Sequence, residues 1–237
     1  MKVFKTAALS VMAIVLITGC SKITGSGPVV TENRNTPQFN RLGISVPGDV
    51  VYTQSNTYKV EIEAQQNIID IIQTPVTNGE LIVKIKNDVR IKSHERIIVR
   101  VSSPEMTGLR VSGSGNLRSS GNLQSESMRL NISGSGNIMV PQLATGDIEA
   151  TVSGSGDIRV SAGSAIEEDL RISGSGSIDL ANVTAKVART STSGSGTMRV
   201  HASDRLEVSI SGSGNVFYKG NPSITTSISG SGKVKPM

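Results

Sequence analysis

Ser-Gly-Ser-Gly occurs seven times, beginning at Ser112, Ser133, Ser153, Ser173, Ser193, Ser211 and Ser229, at intervals of 21, 20, 20, 20, 18 and 18 residues. A flexible linker has no reason to keep such phase, whereas a period near 20 is the mark of a solenoid or array. Around each motif the apolar residues alternate. Val111, Ile132, Val152, Ile172, Thr192, Ile210 and Ile228 stand just before it, and Leu109, Leu130, Ala150, Leu170, Thr190, Val208 and Thr226 two positions earlier. Leu117, Ile138, Ile158, Ile178, Met198, Val216 and Val234 follow at the fifth position after the first Ser. Period-two alternation marks half-buried strands, and paired glycines penalise a helix.

Strands repeated every 20 residues in one phase predict an all-β fold, a parallel β-helix. Each coil stacks its aliphatic residues on the same positions of the next coil. Seven coils at about 4.8 Å each make a stack about 34 Å tall. No coil can bury its inner face alone, so stability is collective. If alternation runs through the motif, both glycines point inward and both serines outward, at a narrow part or corner of the coil. Valine at Gly154 and Gly174 would then overpack the interior. The residue after each motif is Asn116, Asn137, Asp157, Ser177, Thr197, Asn215 or Lys233. This row is read as turn chemistry, with a polar ligand ladder as the alternative. Calcium is not expected, because a glycine-rich calcium β-helix needs an Asp in each turn.

Met1 to Cys20 reads as an export signal. Lys2 and Lys5 precede a short apolar run, Ala7 to Ile17, that is too short to span a bilayer comfortably. Ile17-Thr18-Gly19-Cys20 resembles the lipobox of bacterial lipoproteins. That resemblance implies cleavage after residue 19, lipid attachment at Cys20 and, with Ser21 next, sorting to the outer membrane. Two or three acyl chains would hold the protein firmly, since one alone is marginal. Residues 20–37 are expected to be a lipidated, flexible tether rich in Gly, Ser, Pro, Thr and Asn. Residues 38–110 are expected to supply the first coils or a cap, and residues 111–237 the repeat β-helix.

Composition narrows the function. The single Cys excludes a disulfide framework, two His leave little for metal ligation, and aromatics are only 3% of the chain. Net charge falls from +5 to +3 once Lys2 and Lys5 leave with the signal, so nucleic acid is not an expected partner. The densest basic stretch, Lys84, Lys86, Arg90, Lys92, Arg96 and Arg100, reads as a solvated strand face, with a polyanion contact as the alternative. His94 and His201 are expected at the surface, and Glu167-Glu168-Asp169 in a solvated loop between coils, with cation binding as the alternative. No catalytic set, metal site or cofactor site is predicted, and no phosphate loop or Rossmann fingerprint occurs.

In residues 39–103 the pattern Phe39-x-x-Leu42-x-Ile44-x-Val46, then Val50-Val51-Tyr52, Tyr58 to Ala64 and Asn78-Gly79-Glu80-Leu81, precedes the repeats. Together with Ser-Gly-Ser-Gly-Asn/Asp-Ile this resembles the bacterial head GIN domain family, which carries an auto-transporter adhesin label. The resemblance covers residues 38–235. It implies a right-handed parallel β-helix, often on exported lipoproteins. The expected function is a non-enzymatic cell-envelope lipoprotein displaying a β-helix for adhesion or ligand binding. Its expected partners are the membrane, through the lipid anchor, and an envelope glycan or protein. The alternatives are a structural scaffold and, with less support from such short coils, a polysaccharide-active enzyme.

Overall fold

The computed structural model describes residues 21–237. Cys20 and the preceding segment read as an export signal lie outside the described residues. The fold is a parallel β-solenoid. Each repeat contributes a strand before the motif and a strand after it. The motif makes the corner between two faces, here called the pre-motif and post-motif faces. On the pre-motif face Gly108–Gly113, Asn122–Gly134, Gln142–Gly154 and Glu167–Gly174 stack in parallel register, with Leu109 on Leu130, Ala150 and Leu170. On the post-motif face Asn116–Ser119, Asn137–Val140 and Asp157–Val160 stack, with Leu117 on Ile138 and Ile158. These aliphatic columns are buried and form one continuous core.

The alternation breaks at the corner, which changes the role expected for the glycines. The first glycine of every motif has φ between 105° and 133°, a region that L residues rarely occupy. Only the second glycine lies inside. The two are nonetheless constrained alike by the coil below. Gly134 O accepts hydrogen bonds from Ser155 N (2.9 Å) and Gly156 N (3.1 Å), and Gly136 lies below Gly156 in the same way. A Cβ on Gly154 would sit 2.3 Å from Gly134 O, and one on Gly156 would sit 2.2 Å from Gly136 O. The motif is therefore a coil-to-coil backbone contact, and not merely a narrow interior.

The N-terminal part supplies both coils and a cap, in an order that differs from chain order. Arg41–Ser45 and Asp49–Gln54 form a coil beneath Gly108–Gly113 and Asn116–Ser119. Below it lies the later segment, with Glu80–Ile85 parallel to Arg41–Ser45 and Ile98–Ser103 parallel to Asp49–Gln54. The chain thus inserts residues 80–103 under a coil it has already made, then returns to climb the other side. Antiparallel strands close this end. Lys59–Gln65 pairs with Ile98–Ser103, and Ile72–Gln73 and Val76–Thr77 pair with Glu80–Ile85. One helical turn, Gln66–Ile69, buries Ile68 and Ile69. Covering the strand edges in this way removes a template for aggregation.

Residues 21–37, expected as a flexible tether, are built into the cap. Ser21–Thr24 pairs with Val89–Ser93, and Val29–Arg34 pairs antiparallel with Lys59–Gln65. Gln65 ties them down: its Nε2 donates to Gly27 O (3.1 Å), and its Oε1 accepts from Glu95 N (3.1 Å). Partners distant in sequence supply the order that local composition does not.

Glu167-Glu168-Asp169 also departs from the loop reading. All three lie in the Glu167–Gly174 strand, and Glu168 is 0% exposed. It stacks between Ile148 and Ala188, and neither carboxyl oxygen has a hydrogen-bond partner. Burial alone pushes its pKa well above the usual carboxylate value, so the neutral acid is the favoured form.

Candidate binding face

The two faces treat their charges differently. On the pre-motif face outward arginines are matched by acids on the same or adjoining coils. Arg129 meets Glu149 at 2.8 Å, Arg171 meets Asp169 at 2.6 Å, and Arg189 meets Glu167 at 2.7 Å and Glu207 at 3.7 Å. Such exposed pairs contribute little to stability, but they leave that surface locally neutral.

The post-motif face carries an outward column, one residue per coil: Arg118, Met139, Arg159, Asp179, Arg199, Phe217 and Lys235. Among the described residues, Arg118, Arg159 and Arg199 make no ion pair. Arg199 stacks over the Phe217 ring, 5.6 Å from its centroid, a cation–π arrangement. Met139 is 43% exposed. Two adjoining depressions run along this column. One is lined by Arg118, Met139, Pro141, Arg159 and Ser161, and the other by Asn137, Met139, Asp157, Arg159, Asp179 and Arg199. They share Met139 and Arg159, so together they form one shallow groove along the solenoid axis.

The row along one edge of the groove, in which Asn137, Asp157 and Ser177 are lining residues, is partly hydrogen-bonded to itself. Asn137 Nδ2 donates to Asn116 Oδ1 (2.9 Å), and Asn116 Nδ2 donates to Asp49 Oδ1 (3.2 Å). Ser177 Oγ donates to Asp157 Oδ1 (2.5 Å). These bonds run from coil to coil between residues that open strands and not around a local turn, so the turn chemistry expected from sequence is replaced here by an inter-coil hydrogen-bonded ladder.

The basic stretch singled out in sequence is dispersed. Arg96 pairs with Asp49 (3.2 Å), and Arg100 binds Glu61 (3.1 Å) and Glu63 (2.7 Å). Those carboxylates raise the Arg100 pKa further. Lys59 chiefly, with Arg100, lowers the pKa of Glu61. Arg90 and Lys92 lie on Val89–Ser93 in the cap. His94 Nδ1 lies 2.5 Å from Glu95 O in the cap region, whereas His201 Nδ1 lies 3.4 Å from Thr184 Oγ1 on the repeat stack. The structure does not bring the two histidines together. No group of three or more metal-ligating side chains occurs among the described residues. The sequence read linearly does not single out the arginine column, because its members stand about 20 residues apart or more. Its signal is the sixth position after each motif's first Ser, visible only when the repeats are aligned on one another.

No curated protein matches the chain. Solved structures do. The crystal structure of a protein described as a "putative adhesin", from Bacteroides fragilis, superposes with a TM-score of 0.86 at 25% identity, over 91% of this chain and 100% of that one. A "putative lipid binding protein" from Parabacteroides distasonis gives 0.78 at 24% identity, over 92% and 100%. A "putative adhesin" from Parabacteroides merdae gives 0.75 at 24% identity, over 92% and 99%. The family described as "Putative auto-transporter adhesin, head GIN domain" matches residues 38–222. The repeated corner, the coils beneath it and this match agree: the chain belongs to the head GIN domain family.

Proposed function

We propose that the protein is a non-enzymatic lipoprotein of the bacterial cell envelope, anchored through Cys20, that presents its solenoid for adhesion or ligand binding. The observation that carries this reading is the open groove with its three unpaired arginines. Guanidinium groups left free in a row, beside a face where arginines are paired, are suited to holding an external anion. The adhesin descriptions of the family and of the Bacteroides fragilis structure support the same reading. The groove is shallow and lies on short strands, which suits binding along a surface. The lipobox supports the anchor.

Protease shaving of intact cells carrying a C-terminal tag on this protein tests the reading. Loss of the tag before lysis is expected. Protection until the outer membrane is opened would place the solenoid in the periplasm and overturn surface adhesion. A Cys20→Ser variant is expected to leave the membrane fraction; retention there would overturn the lipid anchor.

One observation favours a scaffold as the second reading. Ser223–Gly230 is exposed along its whole length, and its inward-phase residues Ile224 and Ile228 are 39% and 43% exposed. Among the described residues no strand covers its outer edge. Ile224-Thr225-Thr226-Ser227-Ile228 is nearly palindromic, so two copies paired antiparallel about Thr226 would set Ile224 against Ile228. With the other end capped, such pairing stops at a dimer. Sedimentation of the mature chain should then show a concentration-dependent dimer that Thr226→Lys abolishes. A monomer at every concentration would remove this reading.

A further inference from the structure

We propose that the Arg118–Arg199 groove binds a linear anionic glycan in which charged and uncharged sugars alternate, laid along the solenoid axis. This rests on the binding reading above and names the ligand class.

The first argument is periodicity. Arg118, Arg159 and Arg199 stand on every second coil. Two coils span about 9–10 Å, comparable with one disaccharide of an extended glycan. A chain carrying one carboxylate or sulfate per disaccharide therefore meets a guanidinium at each charged sugar. Arg is suited to this because its planar fork holds a carboxylate bidentately.

The second argument is what stands between the arginines. Met139 separates Arg118 from Arg159, and Asp179 separates Arg159 from Arg199. Neither can receive an anion. Exposed Met139 offers apolar surface to the C–H face of a sugar ring, and Asp179 can accept hydrogen bonds from hydroxyl groups. A polymer charged on every sugar would place a carboxylate over Met139 and another against Asp179. Repulsion at Asp179 thus supplies discrimination that attraction alone does not. A nucleic acid, with a phosphate at every nucleotide, meets the same obstacle.

The third argument is shape. The groove is shallow and continuous across the shared Met139 and Arg159, which suits a chain running past it better than a single enclosed sugar. Arg199 lies over Phe217 and Lys235 follows it in the column, so a longer chain has a further cation to reach.

The test is titration of the mature, unlipidated chain with three length-matched probes: hyaluronan octasaccharide, its carboxyl-reduced form and octagalacturonate. Hyaluronan carries a carboxylate on every second sugar, octagalacturonate on every sugar. Hyaluronan is expected to bind at least about ten-fold more tightly than either of the others, and Arg159→Gln should weaken it about ten-fold. Arg171→Gln, on the ion-paired face, should change it less than about two-fold. Asp179→Asn should selectively improve octagalacturonate binding. Thermal melting of Arg159→Gln checks that the fold is intact. Equal binding of the carboxyl-reduced probe, an unaffected Arg159→Gln, or binding of anionic phospholipid vesicles but none of the glycans would each overturn the proposal. Failure here and failure of the broader reading are separable. Cells expressing the Arg118, Arg159 and Arg199→Gln triple variant that still adhere would sink the glycan assignment and leave adhesion standing. A periplasmic location would sink adhesion and leave the titration result untouched.

Discussion

Replacing Gly154 with alanine should destabilise the protein nearly as much as replacing it with valine, by about 4 kcal/mol or more. In a chain of this size that lowers Tm by about 8–16 °C. A simple overpacking picture predicts a small effect for alanine and a large one for valine. The geometry predicts otherwise, because the offending atom is Cβ itself, 2.3 Å from Gly134 O, on a residue with φ of 130°. The neighbour is backbone, and it already accepts hydrogen bonds from Ser155 and Gly156, so it cannot swing aside as a side chain could. Strain cannot disperse along the stack either, since every coil presents the same contact to the next. Outward Ser153→Val is the control and should shift Tm by no more than about 2 °C. Differential scanning calorimetry decides: a wild-type Tm for Gly154→Ala would refute the backbone-contact account of the motif.

The second large effect is expected at Glu168. Its carboxyl is buried without a partner between Ile148 and Ala188. Burying an unpartnered polar group costs about 1–3 kcal/mol in proteins, and at neutral pH the group must also take up a proton. Glu168→Leu should therefore raise stability at pH 7 by about 2 kcal/mol or more. Because the folded-state pKa is raised, the folded protein holds this proton more tightly than the unfolded chain does. This contribution is fully present below the unfolded carboxyl value, about 4.3, and is lost as pH rises through the folded value. The stability difference between Glu168→Leu and wild type should accordingly grow from pH 4 upward. Taking this difference cancels the opposite slope from Glu61, whose pKa is lowered by Lys59 and Arg100. Urea unfolding of both proteins from pH 4 to pH 8 measures it. A difference independent of pH would mean that Glu168 is not buried as a neutral acid.

The two sites show how far one rule reaches. Period-two alternation, which places Leu170 and Ile172 inside, places Glu168 inside as well. The acidic composition of Glu167-Glu168-Asp169 pointed the other way, but register prevails over the preference of a single side chain, because shifting it would turn Leu170 and Ile172 out to water. The arginine column obeys the same rule on the outer phase. Its positions can be read from the aligned repeats, but its freedom from ion pairs cannot. That depends on which acids adjoining coils bring alongside, as Glu149 is brought to Arg129 and Glu207 to Arg189.

What the sequence determined by itself is the parts of the coil: strand, glycine corner, strand, with aliphatic residues inward. These are legible because they depend on neighbours a few residues apart and are repeated seven times in phase. What only the tertiary structure decided is the order of assembly at the N-terminal end and the state of the surface charges. Residues 80–103 slide beneath residues 41–54, and Val29–Arg34 becomes a strand because Lys59–Gln65 offers it an edge. Pairing of this kind is chosen by which backbone edges remain unsatisfied once the coils have formed, and a chain read in one dimension does not reveal which edges those are.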